Sequence, residues 1–206
     1  MGKRGEGSLF NTIAPVYGLF FNRQRSSFTK VIRRAGPYLD LASFSTVLDV
    51  GCGPGALCSV LSEKGLRVTG IDPAAKMLDA ARRRKENKGV RFIQANALEQ
   101  LPFPDKSFDI SFASYVAHGL KKEERRRMYA EMSRVTRHRV IIHDFNKNRG
   151  WLISFVEWLE RGDYFRFIRA AEEEMRNCVS DMAECFSQVS VIDVDTHASW
   201  YICTPK

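Results

Sequence analysis

The stretch Asp49-Val-Gly-Cys-Gly-Pro-Gly-Ala56 sets three glycines within five positions, after the apolar run TVL and before LCSVL. That order reads as a strand, a tight turn and a helix start. Glycine at positions 51, 53 and 55 lets the main chain approach a ligand closely. The N–H groups at the start of the following helix would face that ligand. A pyrophosphate suits such a cradle, and so does a carboxylate. A second candidate, Asp72, closes the next apolar run, RVTGID. Its carboxylate can accept hydrogen bonds from both hydroxyls of a ribose. It also stands where Asp favours capping a helix, with Pro73 next. Further on, Tyr115, His118, His143 and Asp144 follow two more apolar runs, and imidazole exchanges protons near neutrality.

These residues need a scaffold of alternating elements. Strands are expected at 45–50, 67–72, 90–95, 109–116 and 139–145, with helices at 56–65, 74–88 and 121–135. The helices carry inward stripes: Leu57, Val60 and Leu61; Ala74, Met77, Leu78 and Ala81; Met128, Met132 and Val135. The RRRK run at 82–85 reads as a solvated helix end and the RRR run at 125–127 as a solvated face. Glu123, Arg127 and Glu131 are spaced for i,i+4 pairing. Residues 8–39 have helical periodicity broken at Pro15 and Gly18, which predicts two short helices ending before Gly36-Pro37. Helical material is expected from Trp151 to about Phe186, and two closing strands at QVSVIDVD and SWYICTPK. Such alternation calls for a mostly parallel sheet covered on both faces. Right-handed crossovers then place ligands at the carboxyl ends of the strands, where the glycine loop, Asp72, Asn96, Tyr115, His118, His143 and Asp144 all fall.

With 206 residues, 44% of them hydrophobic and 27% charged, the chain reads as one soluble globular domain. Its longest apolar-rich stretch, WLISFVEWL, is too short to span a bilayer and contains Glu157. The opening MGKRGEGS is followed by no signal core, and Glu6 breaks the myristoylation pattern. A cytoplasmic protein is the expectation. The five cysteines include no C-x-x-C pair, which suggests reduced, buried thiols and neither a disulfide framework nor a zinc site. No His, Asp or Glu spacing points to a metal. The net charge of +8 is concentrated in residues 1–46 and 119–150, and residues 151–206 are acidic. Such a balance bears on solubility and steering and keeps RNA open as a partner, although no RNP, KH or OB motif accompanies it.

The loop and Asp72 serve a nicotinamide dinucleotide or S-adenosylmethionine alike. The discriminating stretch is FIQANALEQLPFPDKSFDISFASYVAHGL, 92–120. Together with VLDVGCGPG, GIDPAAKML and FNTIAPVYGLFFN, it resembles the class I S-adenosylmethionine-dependent methyltransferases, in particular the group that includes the ubiquinone and menaquinone biosynthesis enzymes. The resemblance covers most of residues 10–145. The C-terminal third matches that group poorly and leaves the acceptor open.

This resemblance implies an α/β, Rossmann-like three-layer sandwich whose mostly parallel seven-stranded sheet ends in an antiparallel strand. It implies one domain over 1–206: a helical lid at 1–44, a cofactor-binding core at 45–145, a helical segment at 146–186 and closing strands at 187–206. The activity implied is methyl transfer from S-adenosylmethionine to a small-molecule acceptor, leaving S-adenosylhomocysteine. Asp49, Gly51, Cys52, Gly53 and Gly55 would surround the methionine portion and Asp72 the ribose. Pro73 and Met77 would lie against adenine, Asn96 and Ala97 at its edge. Ser114 joins the cofactor set, and Tyr17 lies in a segment that folds over the donor. Asn96 stands where the family often has Asp; its carboxamide can accept from the adenine amino group and donate to a ring nitrogen. Tyr115, His118, His143 and Asp144 would line the acceptor pocket, with His118 as general base where the acceptor holds a proton at neutral pH.

Plainer roles stand beside these. Met77 also fits the core, Tyr17 a half-buried helix aromatic, and the aromatic stretch 151–168 either a pocket wall or a helix packed on the sheet. His138 and His197 read as surface or packing residues. An NAD-dependent oxidoreductase would use the same loop but leaves 92–120 unexplained. An RNA methyltransferase and a non-catalytic S-adenosylmethionine-binding module are the remaining alternatives.

Overall fold

Aliphatic and β-branched runs form the strands, and the striped segments between them form the helices. A computed structural model describes residues 20–145, 179, 181–196 and 198–206. The elements are α1 (Phe21–Ala35), β1 (Thr46–Val50), α2 (Ala56–Glu63), β2 (Arg67–Asp72), α3 (Ala75–Arg82), β3 (Arg91–Gln94), β4 (Phe108–Ser114), α4 (Lys122–Val135), β5 (Thr136–Phe145), β6 (Phe186–Asp195) and β7 (Ala198–Pro205). One seven-stranded sheet has the order β3-β2-β1-β4-β5-β7-β6. Neighbours from β3 to β5 are parallel. β7 alone is reversed, antiparallel to both β5 and β6. This is the expected mostly parallel sheet with an antiparallel final strand. Tyr17, the first N-terminal helix, the aromatic stretch at 151–168 and His197 lie outside the described residues.

Two boundaries differ by more than two residues from the sequence reading. α3 stops at Arg82, and Lys85–Asn87 forms a separate 3-10 turn. β5 begins at Thr136, directly after α4. The helix stripes face inward as the periodicity predicts. On one face, Val31 and Ile32 of α1 and Leu57 and Leu61 of α2 pack with Ile110, Phe112, Ile141 and Trp200 of the sheet. On the other, Met128, Tyr129 and Met132 of α4 pack with Leu48, Val50, Val140 and Ile142. Each fully buried side chain of this size contributes roughly 1.5–3 kcal/mol, so burial on both faces stabilises the parallel strands. Among the described residues, no helix is long and apolar enough to cross a membrane.

The RRR run is not a uniform solvated face. Arg125 is 1% exposed and donates from Nη1 to the Leu120 carbonyl at 2.7 Å. Arg126 pairs with Asp181 and Glu184, which ties α4 to the segment entering β6. Glu131 pairs with Arg134 and accepts from the Leu101 N–H. These long side chains are held by tertiary carbonyls and acids that helical spacing does not reveal.

Strand order reverses beside β1: the chain passes outward through β2 and β3, then returns to β4 on the other side. The carboxyl ends of β1 and β4 therefore part and open a crevice. The amino ends are pinned. Asp109 Oδ2 accepts from the Ser45 and Thr46 N–H groups at 2.9 Å each, and Oδ1 accepts from Arg137 Nη1 at 3.0 Å. Burial pushes the Asp109 carboxyl up, but these donors outweigh it and hold it at about 2. A depressed carboxylate adds stability above its unfolded value and loses it as pH falls through its folded value. Asp109→Asn is therefore expected to lower unfolding free energy by about 2 kcal/mol at neutral pH. In urea titrations, the gap to wild type should close from about pH 4 towards about pH 2.

Candidate functional site

At the end of β1 the chain turns through Gly51, Gly53 and Gly55 at φ of 67°, 51° and 80°. Gly55 is the residue before α2, and a methyl group there would sit 2.4 Å from Asn87 Nδ2. Asn87 is buried, and its Nδ2 donates to the carbonyls of Pro54 and Ala81 at 3.2 and 3.0 Å. This buttress beneath the loop was not foreseen, because the surrounding KENK reads as a charged helix end. Gly53 is the opposite case: among the described residues, no atom beyond its own chain neighbours lies within 4 Å of where a methyl group would stand. The loop is closed behind and open in front.

Asp72 holds the loop from the side. Its Oδ2 accepts from the Gly53 N–H at 2.9 Å and its Oδ1 from the Ala74 N–H at 2.8 Å. The second bond is a local turn; α3 itself starts after Ala74 without a side-chain cap. Asp49 lies buried beneath the loop, and Cys58 Sγ donates to its Oδ2 at 3.1 Å. Gly70 stands opposite Asp49 in register. A methyl group at Gly70 would come within 2.9 Å of both Cys52 Sγ and Cys58 Sγ, so glycine makes room for two thiols. Burial raises the Asp72 carboxyl. Burial also raises Asp49 to about 7; Cys58 opposes the shift and the Asp72 charge adds to it. Burial pushes both thiols up as well, which keeps them protonated and unreactive.

Beyond β3, Asn96 Oδ1 accepts from the Leu98 N–H at 3.1 Å, beside buried Ala97. The Ala95 N–H reaches the Asp72 carbonyl, which brings this turn to the loop's acid. Pro73 is exposed and its carbonyl accepts from Gln94 Nε2 at 3.0 Å. Met77 is an interior side chain of α3.

The carboxyl ends of β4 and β5 form the second half of the site. Asp144, fully buried, accepts from the His118 backbone N–H at 3.1 Å and lies 3.0 Å from His118 Nδ1. His143 is 2% exposed. Burial lowers its imidazole to about 4 against the pull of Asp144 and Asp195, so the ring is neutral at pH 7. Tyr115 lies 4.7 Å from that ring, centroid to centroid, and its N–H donates to the His143 carbonyl at 2.8 Å. Phe28 and Trp200 also meet His143, at 5.8 and 6.3 Å; neither was foreseen, since only register and the lie of α1 bring them there. A methyl group at Gly51 would come 2.6 Å from Val116 Cγ2, so the two halves of the site touch. His138 is exposed, against Phe44.

The open edge at Gly53, the uncapped first turn of α2 and the remaining lone pairs of Asp72 fit an adenosyl amino acid: a carboxylate for the helix start, ribose hydroxyls for the acid. A sheet with one reversed strand, carrying a glycine cradle and an acid at its switch point, defines a Rossmann-like nucleoside-binding domain. Residues 47–139 match the family model of the methyltransferase domain. Demethylmenaquinone methyltransferase of Thermus thermophilus is 41% identical over 108 residues, 49% of this chain and 48% of that protein. Malonyl-[acyl-carrier protein] O-methyltransferase of Serratia marcescens is 38% identical over 91 residues, 44% of this chain and 34% of that one. The chain thus spans about half or less of the curated relatives it matches. A Methanococcus maripaludis crystal structure assigned to the S-adenosyl-L-methionine-dependent methyltransferases superposes with a TM-score of 0.75 at 17% identity, over 100% of this chain and 97% of that one. Residues 47–139 are thus similar to a methyltransferase domain, on the sheet of a Rossmann-like fold.

A carboxyl raised by burial adds stability below its unfolded value and loses it as pH rises through its folded value. For Asp49 that window runs from about pH 4 to about 7. Asp49→Asn is expected to exceed wild type in stability at alkaline pH, by on the order of 3 kcal/mol. Urea unfolding should show that advantage vanishing on acidification.

Proposed function

We propose that this protein transfers a methyl group from S-adenosylmethionine to a small-molecule acceptor, leaving S-adenosylhomocysteine. The observation that carries this reading is the open face of the loop at Gly53, held by Asp72 at the switch point of the sheet. When bound, S-adenosylmethionine supplies a methyl carbon activated by its sulfonium. The chain's own residues bind and orient. The main chain of Gly51, Cys52, Gly53 and Gly55, above Asp49, takes the methionine end. Asp72 takes the ribose hydroxyls, and Asn96 with Ala97 faces the adenine edge beside Pro73. Met77 supports that wall from inside. Alignment of two reactants is worth several kcal/mol, to a limit of roughly 7–11.

His118 is the group placed to take a proton from an acceptor that holds one. Asp144 fixes it by two contacts, at backbone and ring. With Nδ1 protonated towards Asp144, Nε2 is the basic atom of the ring. The names of the quinone and malonyl relatives support a small acceptor over RNA.

Calorimetric titration with S-adenosylhomocysteine and NADH in parallel tests the reading. The expected result is binding of the first alone. Asp72→Ala should weaken it at least about tenfold, the scale of a lost bond to a charged group. Undiminished affinity in that variant, or preference for NADH, would overturn the assignment.

A further inference from the structure

Asp49 and Asp72 are both buried at the donor loop, 1% and 8% exposed. Among the described residues, no arginine, lysine or histidine pairs with either. Asp72 is engaged on both oxygens by main-chain N–H groups. Asp49 is not. Its Oδ2 takes the Cys58 thiol, and no other donor among the described residues reaches the carboxyl. Oδ1 is left for a proton or a ligand. A buried carboxylate without a countercharge is costly, so this acid has reason to hold a proton until a cation arrives.

The elements around Asp49 supply no such cation. β2 sets Gly70 opposite it, with Asp72 two residues further on. β4 sets Phe112 opposite it on the other side. The loop brings Cys52, whose Sγ crowds Gly70 together with that of Cys58, and α2 brings Cys58 itself. The titratable neighbours are thus one acid and two protonated thiols. Burial dominates and carries the Asp49 carboxyl to about 7, with the Cys58 bond opposing and the Asp72 charge adding.

We propose that the Asp49 carboxyl, tuned by the Cys58 thiol, exchanges a proton for the ammonium of an adenosyl amino acid, so that ligand and proton compete for one acid beneath the loop. The inference rests on the methyltransferase reading for its ligand. The only bond broken is O–H: the carboxyl gives its proton to solvent, and the carboxylate left behind faces the ammonium. A ligand that needs the ionised acid binds in proportion to the fraction ionised. Affinity therefore rises with pH through about 7. Cys58 acts through Asp49 as a positioning residue. Its bond favours the ionised form, so losing that bond moves the rise to higher pH.

Titration calorimetry on the full chain, in phosphate and in imidazole buffers at pH 6 and pH 7, counts the protons exchanged on binding. S-adenosylhomocysteine is compared with 5′-methylthioadenosine, which keeps the nucleoside and the sulfur but lacks the ammonium. S-adenosylhomocysteine should release about half a proton more than methylthioadenosine at pH 7, and about nine-tenths more at pH 6. Its affinity relative to methylthioadenosine should be about fivefold lower at pH 6 than at pH 7. Asp49→Asn should bring the two ligands to the same count. Cys58→Ala should move the rise in relative affinity to higher pH, and Cys58→Ser, which keeps a donor, should restore it. Equal counts for the two ligands in the wild type, or a surplus that survives in Asp49→Asn, would overturn the proposal. A profile unmoved by Cys58→Ala would overturn the part given to the thiol. S-adenosylhomocysteine bound without a surplus proton sinks this inference alone, whereas no binding at either pH sinks the methyltransferase reading with it.

Discussion

One carboxylate, that of Asp72, joins three segments that the sequence keeps apart. It closes β2, accepts from the N–H of Gly53 in the loop after β1, and accepts from Ala74 before α3. It adds to the Asn87 buttress in fixing a loop of three left-handed glycines, the residue that loses most freedom on ordering. The clamp works because its environment is partly dry. Burial raises Asp72, and it raises Asp49 beneath the same loop further, with the Asp72 charge adding to that rise. The charge of Asp72 thus disfavours the ionised form of Asp49, and a cation at the loop would favour it. The fold therefore holds negative charge where a positively charged ligand would relieve it.

Much of this arrangement follows from spacing alone. Glycines between a strand and a helix, an acid at the end of the next strand and helix stripes at 57, 60 and 61 are local signals, and the structure places each as the pattern implies. Asn87 is different. Its neighbours Lys85, Glu86 and Lys88 read as a solvated end, yet its side chain is inserted under Pro54. Arg125 likewise sits in a charged run and is buried. In both cases the decisive partner is a backbone carbonyl, of Pro54 and of Leu120, and carbonyls leave no mark in a sequence. Met77 shows the converse. Its helical spacing allows a core role or a ligand role, and only burial distinguishes them.

The cross-strand pairing of Ser114 with His143, and of His143 with Trp200, lay beyond sequence reasoning for a further reason. Three strands supply it, and one of them runs the other way. Register between strands is set by packing and turns, so no spacing within the chain predicts which side chain of β7 faces His143. The residue that reshapes this region, Tyr115, was read as a candidate by its place after a strand, but its left-handed backbone, with a φ of 57°, is a tertiary outcome. Such strain persists only where surrounding contacts over-determine it. Here the His143 carbonyl holds the Tyr115 N–H and the His143 ring holds its side chain.

The same kink links the two halves of the site. Val116, the next residue, lies so near Gly51 that any side chain there would collide with it. His118, two residues further, is held by Asp144 at both backbone and ring. The segment 115–118 therefore touches, in order, the His143 ring, the glycine loop and the buried acid of β5. The glycine at position 51 therefore has a second task besides its turn: it yields the space that Val116 occupies.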